Sequence, residues 1–219
     1  MQQKKVLIRQ LGLQEYMPIV KAMYTFTNQR TKNTFDELWL LEHYPIFTQG
    51  KTGNNKHILT LGDIPVIQSD RGGQITYHAP GQQIMYVLID LKRNKYSARQ
   101  LVNNIEQAVI DTLAYFGIVA HSIVYAPGVY VNEQKICSLG LRIYKGCSFH
   151  GLALNTAMDL SPFNQINPCG FTDIKMTQIS ILNINVTLKD VQVILVEKFT
   201  QILGYNTVEF YDWKICDYK

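Results

Sequence analysis

Apolar residues recur at helical spacing in three places along the chain. Ser97, three residues ahead of Gln100, carries a capping-box signature, and behind it Leu101, Ile105, Ala108, Val109, Leu113 and Phe116 fall on one face until Gly117. The spacing predicts an amphipathic helix closed by that glycine. Thr187 with Asp190 opens a second helix, in which Val191, Ile194, Phe199, Ile202 and Leu203 face inward before Gly204. A third is expected over residues 13–30, with Tyr16, Val20, Met23 and Tyr24 as its buried face.

The remaining apolar positions fall in short runs rich in Val, Ile and Tyr and bounded by Gly, Pro, Asn or Lys. They predict strands at 6–10, 38–42, 64–69, 75–78, 83–90, 128–131, 136–144 and 148–155. Asn132-Glu133-Gln134 and Lys145-Gly146 join the last three as an antiparallel meander. Helices flank these runs rather than alternating with them, which favours an α+β fold with a mixed or antiparallel sheet over a doubly wound one. With no internal repeat, low-complexity tract or linker, residues 1–219 are expected to form a single domain.

Composition narrows the function classes. Hydrophobic residues make up 47% of the 219, enough for a sizeable core, and the 17% that are charged are dispersed, which argues against disorder and a nucleic-acid-binding tail. The net charge of +4 is too small to specify a partner. MQQKKVLIRQLGLQEY does not read as a secretory signal, and nowhere do eighteen apolar residues run together, so a cytoplasmic chain without a membrane span is expected. Cys137, Cys147, Cys169 and Cys216 contain no CxxC pair; free thiols are expected rather than disulfides or a metal site.

Chemically capable side chains gather with glycine and proline in three stretches. The first is Arg71-Gly72-Gly73-Gln74-Ile75-Thr76-Tyr77-His78-Ala79-Pro80-Gly81-Gln82. Paired glycines let backbone approach a ligand and aim N–H groups at it, although a tight turn leading into a strand accounts for the same residues. Neither nucleotide signature, GxGxxG or the P-loop, occurs there.

The second stretch spans Gly128-Val129-Tyr130-Val131, then Lys135-Ile136-Cys137-Ser138-Leu139-Gly140, then His150-Gly151-Leu152-Ala153-Leu154-Asn155. Lys135 falls at the mouth of a hairpin, where a lysine is ordinarily solvated, and His150 reads equally as a satisfied strand residue. The third is Asn167-Pro168-Cys169-Gly170, whose loop can expose a sulfur among backbone donors, as a nucleophile requires. A small, tolerated loop thiol is the plainer reading.

Together these stretches, with Leu40-Leu41-Glu42-His43 and Phe47-Thr48-Gln49-Gly50, resemble the lipoyl(octanoyl) transferase family in order and spacing over roughly residues 36–180. The resemblance implies the fold of biotin and lipoate protein ligases, a mixed sheet around an acyl-binding tunnel. It implies Cys169 as acyl-bearing nucleophile with Lys135 as its partner. It further implies that Arg71, Gly72, Gly73, Gln74, Ile75, Thr76, Tyr77 and His78, Ser138, Leu139 and Gly140, and Gly151, Leu152 and Ala153 line the site.

The implied donor is octanoyl-acyl carrier protein and the acceptors are lysines of lipoyl domains in 2-oxoacid dehydrogenase complexes and glycine-cleavage H protein. No cofactor, metal, nucleic acid or membrane is implied, and a monomer is expected. Three positions depart from the family pattern: Ala79 stands for the usual Gly, Tyr44 for Pro and Phe171 for Tyr. An alanine at a left-handed position would cost ~1 kcal/mol, so Ala79 tests the local backbone.

Rival readings are an ATP-dependent lipoate or biotin protein ligase of the same fold, a non-catalytic acyl- or lipoyl-domain-binding module, and a cysteine hydrolase. The last would want a histidine and an acid beside the cysteine, where the resemblance supplies a lysine.

Overall fold

The computed structural model describes residues 4–60, 62–170 and 174–212. β1 (Lys5–Gln14) passes through α1 (Tyr16–Gln29) to β2 (Asp36–His43), and β3 (Ile46–Gln49), β4 (Val66–Gln68), β5 (Ile75–His78) and β6 (Gln82–Leu88) follow. The short α2 (Leu91–Asn94) precedes α3 (Ala98–Tyr115). β7 (His121–Ser122), β8 (Gly128–Val131), β9 (Gln134–Tyr144) and β10 (Cys147–Asn155) then lead to α4 (Ile179–Leu182), α5 (Leu188–Leu203) and β11 (Thr207–Asp212).

Among the described residues, eight strands form one sheet in the order β11-β1-β2-β6-β10-β9-β8-β7, and β4-β3-β5 form a smaller one. β1 runs parallel to β11 and β2, while the pairs from β2 through β7 are antiparallel, giving the mixed sheet of an α+β domain.

Alternation along the central strands divides the core into two layers. Leu38, Leu40, Met85, Val87, Leu152 and Leu154 face α3 and α5, whereas Trp39, Leu41, Ile84, Tyr86, Leu88 and Phe149 face α1. β6 is therefore buried along its whole length, and its run QQIMYVL carries almost no polar face to betray this. No helix among the described residues is long and apolar enough to cross a membrane.

Both capping boxes form. Ser97 Oγ accepts the Gln100 N–H at 3.2 Å while Gln100 Oε1 accepts that of Ser97 at 2.8 Å, and Thr187 and Asp190 exchange the same bonds. Gly204 closes α5 in the left-handed conformation at φ 69°. Phe116 caps α3 and is only partly buried.

Ala79 is buried and absent from the residues with positive φ, so its backbone is ordinary and alanine is unstrained there. Phe171 and Cys216 lie outside the described residues.

A polar cluster closes the end of the sheet where β2 begins. Asp36, 2% exposed, accepts from Arg30 Nη2 and Arg93 Nη2 at 2.6 Å, from Asn94 and Tyr205 side chains at 2.8 Å, and from the Asp90 N–H at 2.9 Å. Burial alone would raise its carboxyl, but the Asp90 amide and the two guanidiniums outweigh it and hold Asp36 below the usual carboxylate range.

Candidate active site

Cys169 sits in a 3-10 turn, Pro168–Gly170, with φ 56° and ψ 15°. That left-handed backbone costs a non-glycine residue roughly 1–2 kcal/mol, and the turn is held by bonds on both sides. Gly170 N–H donates to Asn167 O at 3.0 Å, and Asn167 N–H to His57 O at 2.8 Å. A Cβ on Gly170 would stand 2.4 Å from Gln74 Nε2, so the glycine lets the β5 approach segment close on the turn. Cys169 is half-buried; Cys137 and Cys147 are buried, and burial pushes the Cys137 thiol up to about 12.

Lys135, at the mouth of the hairpin, is 1% exposed rather than solvated. The turn itself is tighter than its sequence indicates, with Asn132 and Glu133 at positive φ and Val131 paired to Gln134. Gly128 supplies the space that a side chain would fill: a Cβ there would lie 2.5 Å from Lys135 Cε and 2.9 Å from Nζ, at φ 144°. The ammonium donates to Cys169 Sγ at 3.1 Å and to Pro127 O at 2.9 Å, and lies 5.4 Å from the centre of the Tyr130 ring. Burial by itself lowers a lysine; the Cys169 sulfur and the Tyr130 hydroxyl beside the ammonium reverse the sign and hold Lys135 above its ordinary value.

Two cavities meet at Cys169. The inner one, the narrower of the two, runs between β5, β6, β9 and β10 and takes its apolar wall from Ile84, Leu139, Leu152 and Ala153. The outer trough, about 580 Å³, lies between α3 and the loop before β8, under Arg99, Val102, Tyr125, Leu141 and Ile143. Arg71, Gly73, Gln74, Thr76, His78, Ser138, Leu139, Gly140, Gly151, Leu152, Ala153 and Cys169 line the inner cavity; Gly72 and Lys135 line the trough. Ile75 and Tyr77 line neither: strand alternation turns them into a separate core with Phe47, Met158 and Phe163.

Arg71 shapes its loop. Its Nη2 donates to Thr48 O at 2.5 Å and Gln74 O at 2.7 Å, and Nη1 to Gly72 O at 2.9 Å, which fixes the glycine loop beside β9. Gly72 N–H in turn donates to Leu141 O at 2.9 Å.

Burial disfavours the charged form of the three histidines around the site, His43, His78 and His150. Burial brings His78 down to about 3 and His43 down to about 4; His78 bonds Gln82 Oε1 at 2.8 Å and Thr48 Oγ1 at 3.1 Å, and His43 bonds Tyr86 OH at 2.7 Å. His78 therefore lacks both the basicity and a free nitrogen to accept a proton. His150, at φ 59°, is lowered by burial and bonds Asp70 Oδ1 at 2.9 Å. Its Nδ1, with Gln74 Oε1 and Thr76 Oγ1, has no partner among the described residues, so the cavity wall keeps hydrogen-bonding capacity beside its apolar surface.

Tyr16, Tyr86 and Ile84 of the inner cavity, and Arg99, Tyr125 and Pro127 of the trough, carry no local motif. Tyr16 reads in sequence only as one position on a buried helical face.

Residues 16–200 match the lipoyl protein ligase A/B catalytic domain family. The octanoyltransferase of Yersinia pseudotuberculosis serotype O:1b (strain IP 31758) is 61% identical over 218 residues, covering 100% of this chain and 94% of that protein. That of Yersinia pestis is 60% identical over the same span. The chain belongs to the octanoyltransferase family. It is a transferase.

Solved structures extend the fold further than the sequence. A lipoate-protein ligase A bound with ATP superposes with a TM-score of 0.76 at 15% identity, over 96% of this chain and 88% of that one. The biotin protein ligase of Aquifex aeolicus gives 0.56 at 12% identity, over 91% and 69%.

Proposed function

We propose that the transferase moves an octanoyl group from acyl carrier protein to a lysine of a lipoyl domain through a thioester on Cys169. The observation that carries this reading is the 3.1 Å contact between a buried ammonium and a sulfur that opens onto an apolar cavity. A thiolate, not a thiol, is the nucleophile, and cationic neighbours favour it. Family membership supplies the octanoyl chemistry, and the apolar wall of the inner cavity, beside Cys169, is of the character an acyl chain requires.

In the first half-reaction Cys169 Sγ forms a bond to the thioester carbonyl carbon, the carrier's sulfur departs with the electron pair, and Lys135 gives it a proton. In the second the neutral amine of the acceptor attacks the same carbon, Cys169 leaves as thiolate, and Lys135, now neutral, takes the amine's proton. Thioester to amide is downhill, so no nucleotide is needed.

For the oxyanion, strand alternation favours the Leu139 N–H over that of Gly140. The β8 ladder ends at the pair Gly128–Ser138, and Leu141 O faces Gly72 on the same edge, so Leu139 points to that edge and Gly140 toward β10.

Intact mass after incubation with octanoyl-carrier protein, without ATP, tests the reading. An adduct of octanoyl mass on Cys169, passed on to a lipoyl domain, is expected. Transfer that persists in Cys169→Ala overturns the covalent route. The fold likeness to an ATP-bound ligase keeps an adenylate mechanism as the second reading, which predicts no transfer until ATP is added.

A further inference from the structure

Glu106 is a buried carboxylate on the inner face of α3, flanked by the apolar residues Ile105 and Ala108. Isolated charges are disfavoured in such a place unless something holds them. Its Oε1 accepts the Gly128 N–H at 2.9 Å. That N–H belongs to the same peptide group as Pro127 C=O, which accepts Lys135 Nζ at 2.9 Å, and Nζ reaches Cys169 Sγ at 3.1 Å. In a trans peptide the N–H and C=O point in opposite directions, so a carboxylate on one side and an ammonium on the other align with the amide dipole. Chains of hydrogen bonds in a low-dielectric interior polarise one another in the same sense.

We infer that Glu106 is a positioning residue, acting through the Pro127–Gly128 peptide to hold the Lys135 ammonium on Cys169. The inference rests on the Lys135–Cys169 reading above and deepens it. Two further features support it. Gly128 has no side chain where one would displace Lys135 Cε, so the residue that Glu106 grips is also the one that makes room for the ammonium. The β8–β9 ladder ends at the Gly128–Ser138 pair, so the Pro127 carbonyl lies beyond the strand pairing, and the Gly128 N–H of the same peptide is bonded to α3 instead.

Several other groups face the pair. Tyr130 of β8 stands beside Nζ, and the charge of Arg71, from the segment before β5, is felt at Cys169. Arg99 of α3 acts on Glu106, Cys137 is the next thiol along β9, and Lys175, whose backbone pairs with Lys135, is exposed.

The test is the rate of Cys169 alkylation by iodoacetamide, followed by mass from about pH 5 to about pH 9. It is measured in the wild type, Glu106→Ala, Glu106→Gln, Lys135→Met and the double variant Glu106→Ala with Lys135→Met. Glu106→Ala is expected to lose roughly threefold or more at neutral pH, the scale of coupling within one hydrogen-bonded network. Its profile moves toward higher pH, and Glu106→Gln, which keeps an acceptor of the same length, recovers most of the loss. In the double variant Glu106→Ala adds nothing to Lys135→Met.

A wild-type profile for Glu106→Ala, or an equal further loss in the Lys135→Met background, overturns the inference. If Glu106→Ala does not fold, Glu106→Asp draws the carboxylate back by one methylene. A slowed profile there supports the inference and a wild-type one overturns it. Alkylation involves no octanoyl donor, so a failure of the transfer reading shows separately, as a missing acyl adduct in the wild type.

Discussion

Replacing Lys135 by methionine keeps most of the buried volume and removes the charge 3.1 Å from Cys169 Sγ. At an effective dielectric of ~20 a unit pair at that distance attracts by about 5 kcal/mol, from which the desolvation of both ends must be subtracted. What is left of that attraction favours the thiolate, the form that reacts, so removing the ammonium shrinks the reactive population. A thiolate at lower occupancy is also intrinsically more nucleophilic, which offsets about half of that on a logarithmic scale. Alkylation at neutral pH should therefore slow by roughly tenfold in Lys135→Met, while acyl transfer falls further because the proposed proton donor and acceptor is also gone. Stopped-time alkylation read by intact mass, with Cys169→Ser as the blank, measures this. A Lys135→Met protein that folds and alkylates at the wild-type rate across the whole range would refute the ion-pair reasoning.

Other consequences can be checked the same way. Gly128→Ala should cut acyl transfer strongly while leaving the fold measurable by circular dichroism, since the added methyl meets Lys135 Cε at 2.5 Å at a backbone angle alanine resists. Asp36→Asn should destabilise by about 3 kcal/mol in urea melts, because it leaves the buried Arg30 guanidinium, and the part-exposed one of Arg93, without a counter-charge. Asp36 is held below its unfolded value, so its contribution is present above roughly pH 4 and is lost as the pH falls through the lower folded value; the variant should show a flatter acid limb.

His43 and His78, at about 4 and about 3, act in the same direction. Their unfolded forms take up protons from roughly pH 6.5 downward while the folded forms do not, so at pH 5 each should remove about 2 kcal/mol of stability relative to pH 7. Melts at the two pH values test this, and His43→Asn should narrow the difference.

Where polar and apolar residues alternate strongly, the fold was legible. The ends of α3 and α5 follow from capping boxes and a closing glycine, and β5 and β8 from short branched runs between turns. β3 was missed because four residues after Pro45 carry too little pattern, and β11 because it is an edge strand whose outer positions, such as Phe210, are exposed. The turn carrying Cys169 was visible in its flanking proline and glycine. The burial of Lys135 was not, because it depends on the room that Gly128 leaves across the hairpin and on the turn of Cys169, which is 34 residues away in sequence. Likewise the stretch 71–78 looks uniform as a motif, yet pairing in the small sheet sends Ile75 and Tyr77 away from the cavity.

On the transfer proposed above, Cys169, between a narrow chamber and a broad open trough, receives whatever brings the acyl chain and whatever takes it away through the same mouth. The visits are then sequential: one protein has to leave before the other arrives. Initial-rate plots at several fixed acceptor concentrations should be parallel, and a large excess of either visitor should slow turnover by blocking the other's berth.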